Sequence, residues 1–216
     1  MAPAGGTGKT RCGARTPPVQ NQRVQILTFP EAATPVELRT QVGEIQEQAW
    51  PSEPGVIPRL DAPVHDPALR PRSMLLLADG TVLAALDILT KEITHAGRGY
   101  VAGGLSTVVT HREARGRGHG RRLVAAAREA LATDAYDLGL FTCDRPLRAF
   151  YESAGWHHLP DTVLVGGTPQ APFPSDRPGF DKVTMADFFS PRARRDRASF
   201  RGSRIALHSG DIDKLW

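Results

Sequence analysis

The sequence predicts a single mixed α/β domain with a mostly antiparallel sheet, on three observations. Short β-type runs alternate with two amphipathic helical stretches. Two central runs are joined by Asp79-Gly80, a hairpin signal that makes neighbouring strands antiparallel. The length, 216 residues, is that of one domain with tails. At 40% apolar residues and a mean hydropathy of −0.30 the chain can bury a sizeable core. Its longest apolar runs, such as Met74–Ala78, fall far short of the ~18 residues of a bilayer-spanning helix.

Residues 1–22 are rich in glycine and proline, lack periodicity, and are expected to be a disordered tail. They hold no apolar stretch of the signal-peptide kind, so the expected location is cytoplasmic. Gly5-Gly6-Thr7-Gly8-Lys9-Thr10 lacks the upstream glycine and preceding strand of a phosphate loop. Arg23–Leu27 reads as a strand. Thr34-Pro35-Val36-Glu37 then reads as a capping box with Thr34 as N-cap, and Leu38, Val42, Ile45 and Ala49 carry a helix to about Gln48. Pro51–Arg72 is too proline-laden for regular structure and is expected to be a long, functional loop.

Ser73–Ala78 and Thr81–Thr90 are the hairpin strands, and Tyr100–Thr110 is the fourth strand, where Gly103-Gly104 suits a bulge or a close approach. A helix follows with Leu123, Val124, Ala127, Ala130 and Leu131 on one face. Leu138–Thr142 is a short buried strand, and Asp144 caps a helix whose stripe is Leu147, Phe150, Tyr151 and Ala154 and which Gly155 ends. His158–Val165 and Lys182–Met185 read as strands, the arginine-rich stretch 191–204 as a solvated loop, and Arg204–His208 as a last strand. The domain proper spans 23–190, and 191–216 forms an extension expected to close over a binding site.

Charge excludes some functions. Setting aside Lys9, Arg11 and Arg15 of the tail, and the six arginines and Asp196 of 192–204, turns the net charge from +4 to −4. Within that acidic body five arginines fall between 112 and 122. One concentrated basic spot suits a local anionic ligand rather than a nucleic acid, which wants a basic stripe. Carboxylates in the first helix, the loops and the last segment favour a cationic small molecule as second ligand. Cys12 and Cys143 have no metal-type spacing, so no metal is expected. Cys143 is expected to be a small buried residue. His157-His158, adjacent in a strand, would point to opposite faces and form no ligand pair.

Arg115-Gly116-Arg117-Gly118-His119-Gly120 opens the second helix. Glycines there let the chain turn tightly and aim several N–H groups at one spot, beside the positive end of the helix dipole. That is a site for a diphosphate, and the flanking arginines add charge-assisted hydrogen bonds. The spacing is G-x-G-x-G, not the G-x-G-x-x-G of a dinucleotide site.

These residues, with Arg115, Gly118 and Gly120 filling Q/R-x-x-G-x-G/A, resemble the acetyl-coenzyme A signature of the GNAT acetyltransferases. Ala149-Phe150-Tyr151-Glu152-Ser153-Ala154-Gly155-Trp156 resembles the family's second signature. The resemblance implies the GNAT fold, with the fourth and fifth strands splayed to hold acetyl-CoA, and direct transfer of the acetyl group to an amine. It implies that Val108, Val109 and Thr110 offer backbone groups to the pantetheine arm. Arg115, Gly116, Arg117, Gly118, His119, Gly120 and Arg121 would cradle the diphosphate, and Tyr151 would donate a proton to the departing sulfur.

Within GNATs the chain is similar to the aminoglycoside 2'-N-acetyltransferases in Ala135–Gly139, Thr142, Thr162-Val163-Leu164 and Gly210-Asp211-Ile212, with Trp216 closing the run. Ser106 stands where that group carries a glutamate that activates a water, and Asp213-Lys214-Leu215 is interposed in its closing G-D-x-W. The similarity makes Ser106 a catalytic candidate that holds water, and Thr142, Asp176, Asp211 and Trp216 the candidates for binding the acceptor. The base stays open among Asp87, Glu92, His111, Asp211, Asp213, the carboxylate of Trp216 and a water chain. Another metabolite amine or a peptide N-terminus as acceptor, an acyl-CoA-binding module without turnover, and a homodimer also stay open.

Overall fold

The computed structural model describes residues 24–216. The predicted tail, with its Gly5–Thr10 run and Cys12, lies outside the described residues, as does Arg23 of the first predicted strand. Strand β1 (Val24–Pro30) leads to helix α1 (Val36–Ala49). Strands β2 (Arg72–Ala78), β3 (Thr81–His95) and β4 (Arg98–Thr110) form a meander, and α2 (His119–Thr133), β5 (Leu138–Asp144) and α3 (Arg148–Ser153) follow. The rest comprises β6 (His157–His158), β7 (Val163–Gly167), β8 (Pro172–Pro174), β9 (Lys182–Phe188), α4 (Pro191–Phe200) and β10 (Arg204–Ala206).

The main sheet has the order β1-β2-β3-β4-β5-β9-β6, and a small second sheet has the order β10-β7-β8. In the main sheet only the β4–β5 pair is parallel. On one face α2 lays Leu123, Val124, Ala127 and Leu131 against Leu86, Phe141 and Trp156. On the other, Ile45 of α1 packs on Leu75, Leu77 and Val82. A third cluster joins Ala193 and Phe200 of α4 to Leu138, Leu140 and Leu164. Fully burying each of the valine, leucine, isoleucine and phenylalanine side chains contributes roughly 1.5–3 kcal/mol, so these faces hold the layers together.

The hairpins explain the meander. Asp79 and Gly80 have φ of 50° and 81°, and Ala96 and Gly97 have 47° and 73°. Paired positive φ values are what a tight two-residue hairpin turn requires. The first turn was written in the sequence as Asp-Gly; the second carries alanine at its first position, which disguised it. Strands β3 and β4 therefore run further than the predicted Thr81–Thr90 and Tyr100–Thr110.

Two features of β4 position the site. It bonds to β5 only through Ala102/Leu138 and Gly103/Gly139, after which the strands part, as the predicted splay requires. Its register against β3 slips between Ala85 and Asp87, opposite Ser106 to Val109, and Thr107 there has φ 47°. A β-branched residue in that region is strained by about 1–3 kcal/mol, a condition concentrated at functional sites. The bulge is thus at Thr107, while Gly103 and Gly104 serve the close approach: a Cβ would overlap Leu131 at the first and Trp216 at the second.

Other expectations are corrected. Helix α1 begins one residue later than the capping box implied: Pro35 is the N-cap, with no side-chain bond, and the Thr34 hydroxyl turns back to the Pro30 carbonyl. Asp144 heads a 3-10 turn without capping it, and its carboxylate pairs with Lys182 at 2.7 Å. Leu147 of the predicted apolar stripe is 45% exposed. His158–Val165 splits between two sheets as β6 and β7. The 191–204 stretch is not a loop: Ser190 caps α4 by accepting from the Ala193 N–H, with Pro191 at the first helical position. Ala193 and Phe200 bury one side of α4, and its arginines occupy the rest.

Candidate active site

At the N-terminus of α2, Gly116 and Gly118 have φ of 76° and 80° with open space around them, a conformation that only glycine adopts readily. The first helical N–H to find a carbonyl is that of Arg122, bonded to Gly118 at 2.9 Å. The N–H groups of His119, Gly120 and Arg121 therefore lie in the turn without an intrahelical partner. Gly120 seats this turn on β4, since a Cβ would lie 2.7 Å from Thr110 Oγ1. Arg117 and Arg121 are exposed at the same end, while the Arg115 Nε donates to the Thr110 carbonyl at 3.2 Å. The donor set fits a diphosphate. Beyond Gly103 the edge of β4 that faces β5, including Val108–Thr110, has no strand partner in β5.

Tyr151 stands on the other side of the splay, buried edge-on against Phe141 and Phe150. Burial, reinforced by Cys143 and Asp144, pushes its phenol well above its ordinary range, so it stays protonated and can donate. Cys143 is buried, and burial pushes its thiol up to about 11, so it is no thiolate at neutral pH.

Across the sheet from the bulge lies the feature that carries most chemistry. Ser73, Asp87 and Ser106 stand side by side on β2, β3 and β4 in register. All three are buried. The Asp87 carboxylate accepts from the Ser73 hydroxyl and from the strained Thr107 hydroxyl, each at 2.6 Å. His65 approaches it with Nε2 at 3.3 Å, and its Nδ1 bonds Asp213 at 2.6 Å. Burial opposes charge on His65, but the hydrogen bond to Asp213, the approach of Asp87 and the charges of both carboxylates outweigh it, and its pKa rises to about 10. His65 is thus an imidazolium strut between two carboxylates. Asp213 also accepts from the Asp66 N–H at 2.9 Å.

Ser73, Asp87 and Thr107 open into a cavity of about 320 Å³ together with Glu31, Glu47 and Trp50. Glu31 is buried, and its carboxylate accepts from the Val64 N–H at 2.6 Å. Burial raises its pKa despite that bond and the nearby His65 charge. The wall carries the buried carboxylates of Glu31 and Asp87, the half-buried Arg39 guanidinium donates to the Glu31 and Thr34 carbonyls at 2.5 and 3.2 Å, and the exposed Arg59 also lines the cavity. Two carboxylates in one wall with different environments are suited to different tasks.

The predicted acceptor residues fare unevenly. Trp216 packs on Gly104 of β4, two residues from Ser106. Thr142 is half-buried on β5, opposite Thr184. Asp176 is exposed and bound to Arg204 at 2.7 Å, and Asp211 is exposed; neither lines the cavity. Of the candidate bases, Asp87 and Asp213 are brought together, one residue pair the sequence offered without linking. Glu31 and His65 were missed. The one signal for them was the broken loop 51–72, read as functional, from which His65 comes.

Residues 36–159, more than half of the chain, match the family described as "Acetyltransferase (GNAT) domain". No match was found among curated proteins. Among solved structures the chain is similar to Escherichia coli ElaA, at 16% identity and a TM-score of 0.52 over 76% of this chain and 98% of that one. It is similar to an acyl-CoA N-acyltransferase from Pseudomonas aeruginosa, at 17% identity and a TM-score of 0.50 over 76% and 98%. A GCN5-related N-acetyltransferase from Kribbella flavida aligns at 16% identity and 0.50 over 64% of this chain and 34% of that chain. At such identities the likeness is one of fold, and it agrees with the splayed β4–β5 pair and the glycine turn on α2. The chain belongs to the GNAT acetyltransferase family, whose members use acetyl-CoA.

Proposed function

We propose that this acetyltransferase acts on the amine of a small cationic molecule bound in the Glu31–Asp87 cavity. The observation that carries the reading is Asp87: a buried carboxylate in register with Ser106, fixed by the bulge residue Thr107, and open to that cavity. On this reading Asp87, from the neighbouring strand, does the work of the glutamate that the aminoglycoside 2'-N-acetyltransferases carry on the fourth strand. Bound acetyl-CoA supplies the thioester carbonyl that the amine attacks.

The chain's own residues then divide the remaining work. Residues 115–121 and the free edge of Val108–Thr110 hold the diphosphate and its arm. Asp87 draws in and orients the ammonium form of the acceptor, and Ser106 beside it holds water. Glu31, the carboxylate whose proton affinity burial has raised, takes the amine's proton. Tyr151 returns a proton to the sulfur as the carbon–sulfur bond breaks. An aminoglycoside antibiotic with a 2'-amine, acetylated as a resistance reaction in the cytoplasm, is the acceptor this reading favours. The exposed Arg59 on the cavity supports a second reading, an amine that also bears an anionic group, such as an amino acid or a peptide N-terminus.

A thiol-release assay with acetyl-CoA tests both. Turnover on aminoglycosides with a 2'-amine and none on 2'-hydroxyl analogues would establish the first. Turnover confined to amino acids or peptides would establish the second. Silence on every cationic amine, with acetyl-CoA binding intact, would contradict the assignment of this cavity to amines.

A further inference from the structure

We propose that Trp216 is a specificity-determining residue that limits the transferred acyl group to about two carbons. The β4–β5 pairing ends at Gly103/Gly139, so Gly104 is the first β4 residue at the closed end of the splay. The indole of Trp216 lies directly on Gly104, so close that a Cβ there would overlap the ring. The same indole packs against both the α2-side core and the α4-side core, filling the gap between them.

Its place is built rather than incidental. The Trp216 N–H donates to the Asp213 carbonyl at 3.2 Å, and Asp213 is itself fixed by the buried His65. The indole Nε1 is buried with no acceptor, so packing and the backbone bond, not a hydrogen bond of its own, hold the ring on Gly104. Ser106 stands two residues from Gly104 on the same face of β4, about 7 Å along the strand. An acyl group delivered at Ser106 and the Thr107 bulge therefore has the indole ahead of it. A methyl group fits before the ring; further methylenes meet it.

The inference rests on the acetyl-transfer reading in one respect, that the thioester enters the splay from the Arg115–Gly120 end. Calorimetric titration with CoA, acetyl-CoA, butyryl-CoA and hexanoyl-CoA tests it without turnover. The native protein is expected to bind butyryl-CoA and hexanoyl-CoA at least roughly tenfold more weakly than acetyl-CoA, the scale of two methylenes denied burial. Trp216→Ala should bring the longer acyl-CoAs to within about threefold of acetyl-CoA, and Trp216→Leu should move them part of the way. Should Trp216→Ala fail to fold, as judged by circular dichroism, the leucine variant and the native ladder decide. Equal affinity of the native protein across the ladder would overturn the proposal, as would an unchanged ratio in a folded variant. Failure to bind CoA itself would instead remove the acetyl-transfer reading on which it stands.

Discussion

His65 and Glu31 show how far a side chain's chemistry depends on what the fold brings to it. Histidine is ordinarily the side chain that changes charge near neutrality. Here two carboxylates hold it protonated, so it serves as a strut and leaves proton transfer to another group. Glu31, desolvated in the cavity wall, is shifted the opposite way to a carboxylate in a tight ion pair. Since a base works only when deprotonated, activity should rise with pH through the raised Glu31 pKa, above the ordinary carboxylate range. Glu31→Gln should lower kcat by about 100-fold or more, the scale of losing a positioned base, and abolish that acid limb. A pH profile of kcat for both proteins checks this. What the sequence disclosed at this scale was local. Gly118 and Arg115 shape the turn they belong to, and such a turn is legible from residue spacing. His65 meets Asp213 across 148 positions, and no periodicity records such a meeting.

Helix α4 and the β4 bulge teach the corresponding lesson for elements. The apolar periodicity of α2 and the Asp-Gly hairpin were legible because burial and turn geometry demand particular residues at fixed spacings. In α4 that signal is reduced to Ala193 and Phe200, and the arginines between them suggested solvent. The Ser190-Pro191 start was the surviving clue. What fixes α4 is Asp137, whose carboxylate accepts from the Val101 N–H at 2.9 Å, the Ser190 hydroxyl at 2.6 Å and Arg192 at 2.7 Å. Burial works against charge on Asp137, yet these three donors hold its pKa below the usual carboxylate value. Its stabilisation is therefore present above the unfolded carboxylate pKa near 4 and lost as pH falls below it. Asp137→Ala should cost about 2–4 kcal/mol, because it strands buried donors, and lower Tm by roughly 4–16 °C. Thermal denaturation at pH 7 measures this, and a shift under 2 °C would show that α4 is held by its apolar face alone.

At the scale of the whole molecule, the last segment is joined to β3 beside the Glu31–Asp87 cavity. The mixed α/β class and the splay were legible, because strand order and two motifs fix them. The second sheet was not, and the last segment, expected to close over a site, could not be assigned its seat on β4, since both depend on contacts between distant parts of the chain. The His65 strut ties that last segment to β3, and its charge couples the tie to pH. With a folded pKa near 10 against an ordinary 6.5, its contribution is complete below pH 6.5 and disappears as pH rises through 10. Tm of the native protein should fall over that window more steeply than that of His65→Gln; parallel curves would show that the strut carries no net stabilisation.

Asp87 is where the fold, the strained bulge and the proposed chemistry coincide. Asp87→Asn keeps the size of the side chain and removes its charge. The most direct measurement pairs acetyl-CoA affinity by calorimetry with kcat/KM for the best amine, in the native protein and this variant. Asp87→Asn is expected to keep an acetyl-CoA Kd within twofold of native and to lose at least about 100-fold in kcat/KM, some 2.7 kcal/mol of transition-state stabilisation. A native kcat/KM in Asp87→Asn would contradict the chemistry proposed for Asp87 and move the acceptor away from this cavity.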